Sequence, residues 1–188
     1  LKLADSSQVS LGQKVSIYRP DQKVFHPDSE DLLGVKVLYI GEAEVVERGD
    51  DQQMIKAVIT KSDRELERGD LIFAQHTSLI EVSPTKNLVD LEAVIVDSIG
   101  DCSEFGQHHL VFINVGTEDG VQVGNRLAVT RRGDGLMRLA VEQDDKMPIE
   151  PVGELMVIAT QPHTASALIT RSTIELRRGD RVLMLRNY

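Results

Sequence analysis

The sequence predicts an all-β protein made of two homologous tandem units, each a small β-barrel or strongly curved sheet, packed side by side or with exchanged strands. Three observations carry this expectation. First, "SDRELERGDLI" (62–72) returns as "STIELRRGDRV" (172–182), and from Ala57 to Asp70 the residue 110 places on is identical at 9 of 14 positions. Second, apolar runs of about 5–8 residues alternate with Gly-, Pro- and Asp-bearing segments, the spacing of strands and turns. Third, the 188 residues contain no Trp and only 4% aromatics, so the core is built from Val, Ile, Leu and Met, residues that suit a pleated surface.

Strand by strand, the second copy is the clearer one. "LVFINV" reads as a strand, "GTEDG" as a turn with glycines free to take positive φ, "VQVGN" as a second bend and "RLAVT" as the next strand. An offset of 112 lays this segment on "LKLADSSQVSLGQKVSIYRP", matching Val9 with Val121, Gly12 with Gly124 and Arg19 with Arg131. Leu1–Leu3 are thereby expected to open the first unit as a strand. The offset of 112 persists to Gly41-Glu42 and Gly153-Glu154 and then becomes 110, which places two extra residues of the first copy around "RGDDQQ". "GEAEVVE" with "IKAVITKS", and "GELMVIA" with "SALITRS", read as two-stranded hairpins.

Each copy closes with a corner and a last strand, "LIFA" or "RVLML". In "ELERGD" and "ELRRGD" a single leucine, Leu66 or Leu176, points inward between solvated charges. Gly69 and Gly179 then supply a backbone conformation that a Cβ would penalise, and Asp70 and Asp180 accept hydrogen bonds from turn N–H groups. Gly12 and Gly124 are assigned the same turn-forming role. Between the copies lies one further strand, "EAVIVDSI", whose own counterpart is expected upstream of Leu1. The expected division is 1–87, with a surface loop at 20–33, and 88–188, with a loop at 132–151. Pro and acidic residues mark both loops, and a short helix over "MRLAVEQ" is an alternative within the second.

The formal net charge of −9 opposes binding to nucleic acid or to anionic lipid. The sequence has no apolar run of the roughly 18 residues that a spanning helix needs. Cys102 stands alone, so no internal disulfide forms. It has no cationic neighbour to favour its thiolate, and there is no nucleophile elbow, phosphate loop, dinucleotide fingerprint or zinc-protease motif. His108 and His109 are adjacent, and adjacent residues on a strand face opposite ways, so they do not share a metal ion. The acidic runs read as solvated loop charge, and the four Arg-Gly-Asp triplets as turn usage. These readings assign no catalytic residue, no cofactor and no metal. Tyr18, Phe25 and Tyr39 in or beside the first loop, with Arg131 and Arg132 at the second, form the candidate ligand surface.

With the repeat laid out, "VSIYRP", "HPDSEDLLGVKVLYIGEAEVVE", "SDRELERGDLI", "INVGTEDGVQVGNRLAV", "VGELMVIA" and "SALITRSTIELRRGD" occur in an order that resembles the C-terminal region of bacterial LysM-containing, peptidoglycan-binding envelope proteins. The resemblance spans nearly all of Leu1 to Asp180. It implies a periplasmic location, an upstream signal peptide and an upstream LysM module that holds peptidoglycan. This chain has no LysM motif of its own, so no glycan-binding residue is carried over. The Gly-Asp corner is also similar to that of small pseudo-symmetric barrels and of a C-terminal domain of a flagellar assembly protein, a likeness of fold that does not transfer function. The function expected is that of a non-catalytic interaction module presenting a surface to another envelope protein or to a second copy. Direct glycan binding by the module is the alternative, and a hydrolase the third reading.

Overall fold

A computed structural model describes residues 9–48, 55–73, 81–100, 102–132 and 147–188. It is all-β. Its strands, in chain order, are β1 (Lys14–Phe25), β2 (Leu32–Arg48), β3 (Ile55–Ser62), β4 (Leu71–Phe73), β5 (Leu91–Ser98), β6 (Glu104–Phe105), β7 (Leu110–Ile113), β8 (Arg126–Arg132), β9 (Ile149–Thr160), β10 (Ala165–Ser172), β11 (Leu176–Arg177) and β12 (Arg181–Met184). Among the described residues one 3₁₀ turn, Thr117–Asp119, stands between β7 and β8.

Two compact units emerge, Leu1–Lys23 with Gly34–Ile80, and Val24–Leu33 with Glu81–Tyr188. This division differs from a break at 87/88. Thr85 donates its N–H to Gly124 O, and Asn87 Nδ2 donates to Arg126 O and Leu185 O, which ties this segment into the second unit. The stretch 20–33 is not a loop: β1 runs on to Phe25 and β2 starts at Leu32, and only the turn between them is irregular. Pro20 is exposed in β1, where a missing N–H is tolerated at a sheet margin. The turn closes with His26 N–H donating to Asp31 O and Glu30 N–H donating to His26 O. In the second unit's stretch 132–151, residues 149–151 belong to β9, while 133–146, including the "MRLAVEQ" segment, lie outside the described residues. The expected opening strand at Leu1–Leu3 and the two extra residues of the first copy also lie outside them.

The second unit is a closed six-stranded barrel in the order β10-β7-β5-β12-β8-β9, joined by the short pair β11-β6. Closure gives every strand two neighbours and leaves no edge. Alternate residues point inward, so Leu127 and Val129 of β8, Leu155 and Val157 of β9, and Ala167 and Ile169 of β10 fill the interior with Phe105 and Leu176. The first unit is a four-stranded sheet in the order β3-β2-β1-β4. Its core collects Val15, Ile17, Ile40, Ala43, Val45 and Ile72, with Leu66 packed against it only partly buried.

The offsets read from the sequence recur in the strand pairings. β1 pairs β4 as Ser16↔Phe73, Ile17↔Ile72 and Tyr18↔Leu71, and β8 pairs β12 as Ala128↔Leu183, Val129↔Val182 and Thr130↔Arg181. The first partners differ by 112 (128 − 16) and the second by 110 (183 − 73). β2 pairs β3 from Gly41↔Ser62 to Arg48↔Ile55, and β9 pairs β10 from Gly153↔Ser172 to Thr160↔Ala165. Both ladders shift register between Glu42/Ala43 or Glu154/Leu155, and again just beyond Val45 or Val157.

Gly69 has φ 107° and Gly179 φ 87°. A Cβ at either would meet nothing within 4 Å, so the requirement for glycine there is conformational, not steric. Gly124 differs: its φ is 91° and a Cβ would also run into Ser83 O. Gly69→Val should therefore destabilise the first unit by more than about 1 kcal/mol in urea melts, and an unchanged midpoint would show that the corner relaxes to accept a side chain.

Candidate interaction surface

Each corner is held by a convergent set of polar contacts. In the first unit, Arg19 on β1 donates from Nε to Asp70 Oδ1 at 2.7 Å and from Nη2 to Asp70 Oδ2 at 3.0 Å, a bidentate pair. Nη2 also donates to Glu65 O at 2.8 Å, and Glu67 N–H donates to Asp70 Oδ2 at 2.8 Å. In the second unit Arg131 on β8 does the same: Nε to Asp180 Oδ1 at 3.0 Å, Nη2 to Asp180 Oδ2 at 2.6 Å, Nη2 to Glu175 O at 2.9 Å, and Arg177 N–H to Asp180 Oδ2 at 2.7 Å.

One difference separates the two corners. Arg19 Nη1 reaches Glu67 Oε1 at 2.7 Å, but the residue at the position of Glu67 in the second corner is Arg177, which turns instead to Glu104 and Glu175. Arg131 Nη1 is consequently buried without a hydrogen-bond partner. Arg131 itself is buried. It is a strut of the corner, not part of an open ligand surface, whereas Arg132 at the end of β8 is exposed.

The Asp70 carboxyl lies below the ordinary carboxylate range. The side-chain hydrogen bonds from Arg19 do most of this against the upward push of burial, helped by the Glu67 N–H and the Arg19 charge. Asp180 occupies the matching position on the other corner, and Gly12 (φ 76°) and Gly124 turn the chain before β1 and β8.

Of the aromatic residues expected to gather, Tyr18 and Tyr39 do. Their rings stand edge to face with centroids 5.7 Å apart, and Phe73 of β4 adds a second edge-to-face contact to Tyr18 at 5.4 Å. Tyr39 Oη donates to Glu42 Oε1 at 3.1 Å, and Lys61 Nζ lies 5.6 Å from the Tyr39 ring centre. Burial, and then that hydrogen bond, push the Tyr39 phenol up to about 12. Phe25 groups instead with the second unit, in the turn where His26 Nε2 lies 3.0 Å from Asn114 Nδ2. Phe73 was not among the sequence-derived surface residues; its contact with Tyr18 follows from the β1–β4 register, in which Phe73 lies opposite Ser16.

The first unit also exposes a run of apolar side chains. Val58 and Ile59 on β3, Phe73 on β4, and Val35, Val37 and Val46 on β2 are all substantially open to solvent. Among the described residues β3 and β4 stand at the two ends of their sheet, each with one strand neighbour. In the second unit a cavity of about 370 Å³ opens beside β6, lined by Glu104, Phe105, Gly106, Ser172, Ile174 and Glu175 among others. Both of its carboxylates are ion-paired to Arg177 Nη2 at 3.0 Å. His108 sits in a turn with φ 73°, not on a strand, and His109 Nδ1 accepts the Gly106 N–H. No group of metal-ligating side chains occurs among the described residues, and no helix there is long and apolar enough to cross a membrane.

No family model matches the chain, and no curated protein matches it. The fold itself defines an all-β protein with a closed six-stranded barrel in one unit and a four-stranded sheet in the other.

The corner geometry sets a pH dependence. Since the Asp70 value is lowered on folding, the stability it contributes is complete above the ordinary carboxylate range, about pH 4, and is lost as the pH falls through the lowered folded value. Asp70→Asn should thus cost about 2 kcal/mol near neutrality, and urea melts should show the gap from the unsubstituted chain closing in acid; a gap independent of pH would remove the ion pair as its cause.

Proposed function

We propose that the chain is a non-catalytic polypeptide-binding module of the bacterial cell envelope, which accompanies a peptidoglycan anchor and presents the first unit to a protein partner. The observation that carries this reading is the open sheet of the first unit, with β-branched and aromatic side chains exposed at both of its ends. Strand ends of that kind are templates for main-chain pairing with another polypeptide, and contiguous exposed apolar surface marks interaction sites. The periplasmic setting and the peptidoglycan anchor rest on the family resemblance of the sequence.

A second reading, direct glycan recognition, draws on the clustered rings of Tyr18, Tyr39 and Phe73. Two of these are locked edge to face against the third and offer edges more than open ring faces, so the polypeptide reading is the better supported. Co-sedimentation with purified peptidoglycan sacculi at low and moderate salt separates the two. The chain alone should stay in the supernatant and should pellet once fused to a LysM module. Pelleting of the chain alone, weakened by Tyr39→Ala, would establish the glycan reading instead.

A further inference from the structure

The two corners differ in how much positive charge they gather. By the offsets of 112 and 110, Pro20, Glu67 and Leu71 of the first correspond to Arg132, Arg177 and Arg181 of the second. One acidic and two neutral residues become three arginines, a gain of four units of positive charge. The fold brings these positions to one end of the second unit. Arg181 lies opposite Thr130, two residues before Arg132 on β8, and follows Asp180, the partner of Arg131. Arg132 and Arg181 are exposed.

Among the described residues, two donors at that corner have no acceptor. The Arg131 side chain is only 7% exposed. Its Nε and Nη2 hold Asp180 and Glu175 O, and its Nη1 is buried without a hydrogen-bond partner. Arg177 Nε is buried and unpartnered as well, although Arg177 Nη2 reaches Glu104 and Glu175. The first corner shows which group such a donor takes. There the same guanidinium, in the same bidentate pair with its aspartate, donates from Nη1 to the Glu67 carboxylate at 2.7 Å. The second corner keeps the contacts that set this geometry, Arg131 Nη2 to Glu175 O and Arg177 N–H to Asp180 Oδ2. What removes the acceptor is therefore the identity of residue 177.

We infer that the corner of the second unit is a binding site for a ligand carboxylate, which takes the place that the Glu67 carboxylate fills in the first. One carboxylate oxygen accepts from Arg131 Nη1 and the other from Arg177 Nε, so a single group serves both donors. Arg131 stays a strut of the corner, because its Nε and Nη2 keep Asp180 and Glu175 O throughout. Entry falls to Arg177, whose side chain is 35% exposed and turns outward to uncover Arg131 Nη1. The exposed Arg132 and Arg181 draw the anion in. Glu104 and Glu175 stay on Arg177 Nη2 and limit the affinity, since they repel a further carboxylate. The inference concerns the second unit and is independent of the polypeptide-binding reading of the first.

The test follows the arginine Nε–H signals of the intact chain by heteronuclear NMR while acetate replaces chloride at constant ionic strength. The Arg131 and Arg177 signals should shift along a saturable curve, and the Arg19 signal should not, because Glu67 already holds Arg19 Nη1. Arg177→Glu, which brings the first corner's carboxylate to the second, should weaken acetate binding at Arg131 about tenfold or more. Arg178→Gln, at an exposed residue of the same turn, should leave it unchanged. Glu67→Arg, also at an exposed position, should give Arg19 a saturable response of its own. A capped Gly-Gly-Glu-Gly-Gly peptide separates two sources of the carboxylate: tighter binding than acetate assigns it to a polypeptide, and equal or weaker binding to a free small acid. No response to acetate would mean that the chain supplies the acceptor itself, and overturns the inference. Shifts linear in acetate, full binding at Arg131 in Arg177→Glu, or no response at Arg19 in Glu67→Arg each overturn it as well.

Discussion

The Arg–Asp clamp at each corner is the constraint from which the rest of the fold follows. Arg19 sits near the middle of β1 and Arg131 one residue before the end of β8, while Asp70 and Asp180 sit on tight turns some fifty positions later in the chain. Each pair joins the strand to the turn that launches its neighbour, β4 or β12. The carboxylate accepts from the guanidinium and from a backbone N–H of its own turn at once, so the corner cannot move without breaking both. A positive-φ glycine next to the aspartate makes that turn accessible to the backbone. With the corner fixed, the last strand has one direction in which to leave, and its register against β1 or β8 is set.

The same clamp recurs in the closed barrel and in the four-stranded sheet. The clamp lies between β1 and β4, or β8 and β12, and in the second unit the same corner also holds β5, with Ile95 N–H donating to Asp180 O and Gly179 N–H donating to Ile95 O. The two register shifts in each β2–β3 or β9–β10 ladder bend the sheet toward closure in both units. Curvature is thus built into the four strands that correspond between the units. The second unit closes through β5 and β7, with a core running through Ile95, Phe105, Val111 and Ile113.

Much of this was legible in the sequence, because a repeat compares the chain with itself. The change of offset from 112 to 110 located the corresponding strands before any pairing was known, and the pairings follow it. The corner glycines were legible because few residues adopt positive φ, and the neighbouring aspartates because a turn needs an acceptor. Arg131 was misread as surface since its environment is set by Asp180, 49 positions away, and two adjacent arginines before a Gly-Asp turn look like an exposed end. The run 20–33 was misread as a loop because Pro and acidic residues dominate it; those residues sit on a hairpin whose sides face water, where composition does not distinguish strand from loop. The exposure of Ile59 was invisible for a related reason. An isoleucine on a strand has the same pattern whether or not a neighbouring strand arrives to cover it.

An exposed sheet end is a hazard as well as an opportunity, and the first unit bears features that limit indiscriminate pairing. Lys56 and Lys61 flank the apolar pair Val58 and Ile59 on β3, each held by a carboxylate, Glu47 at 3.3 Å and Asp63 at 3.3 Å. Lysines on an end strand disfavour stacking of identical chains, because the same charges would meet across the new pair. Under the proposed polypeptide-binding function they would admit a strand that brings acidic or neutral residues to those positions, so charge would separate a partner from a second identical chain.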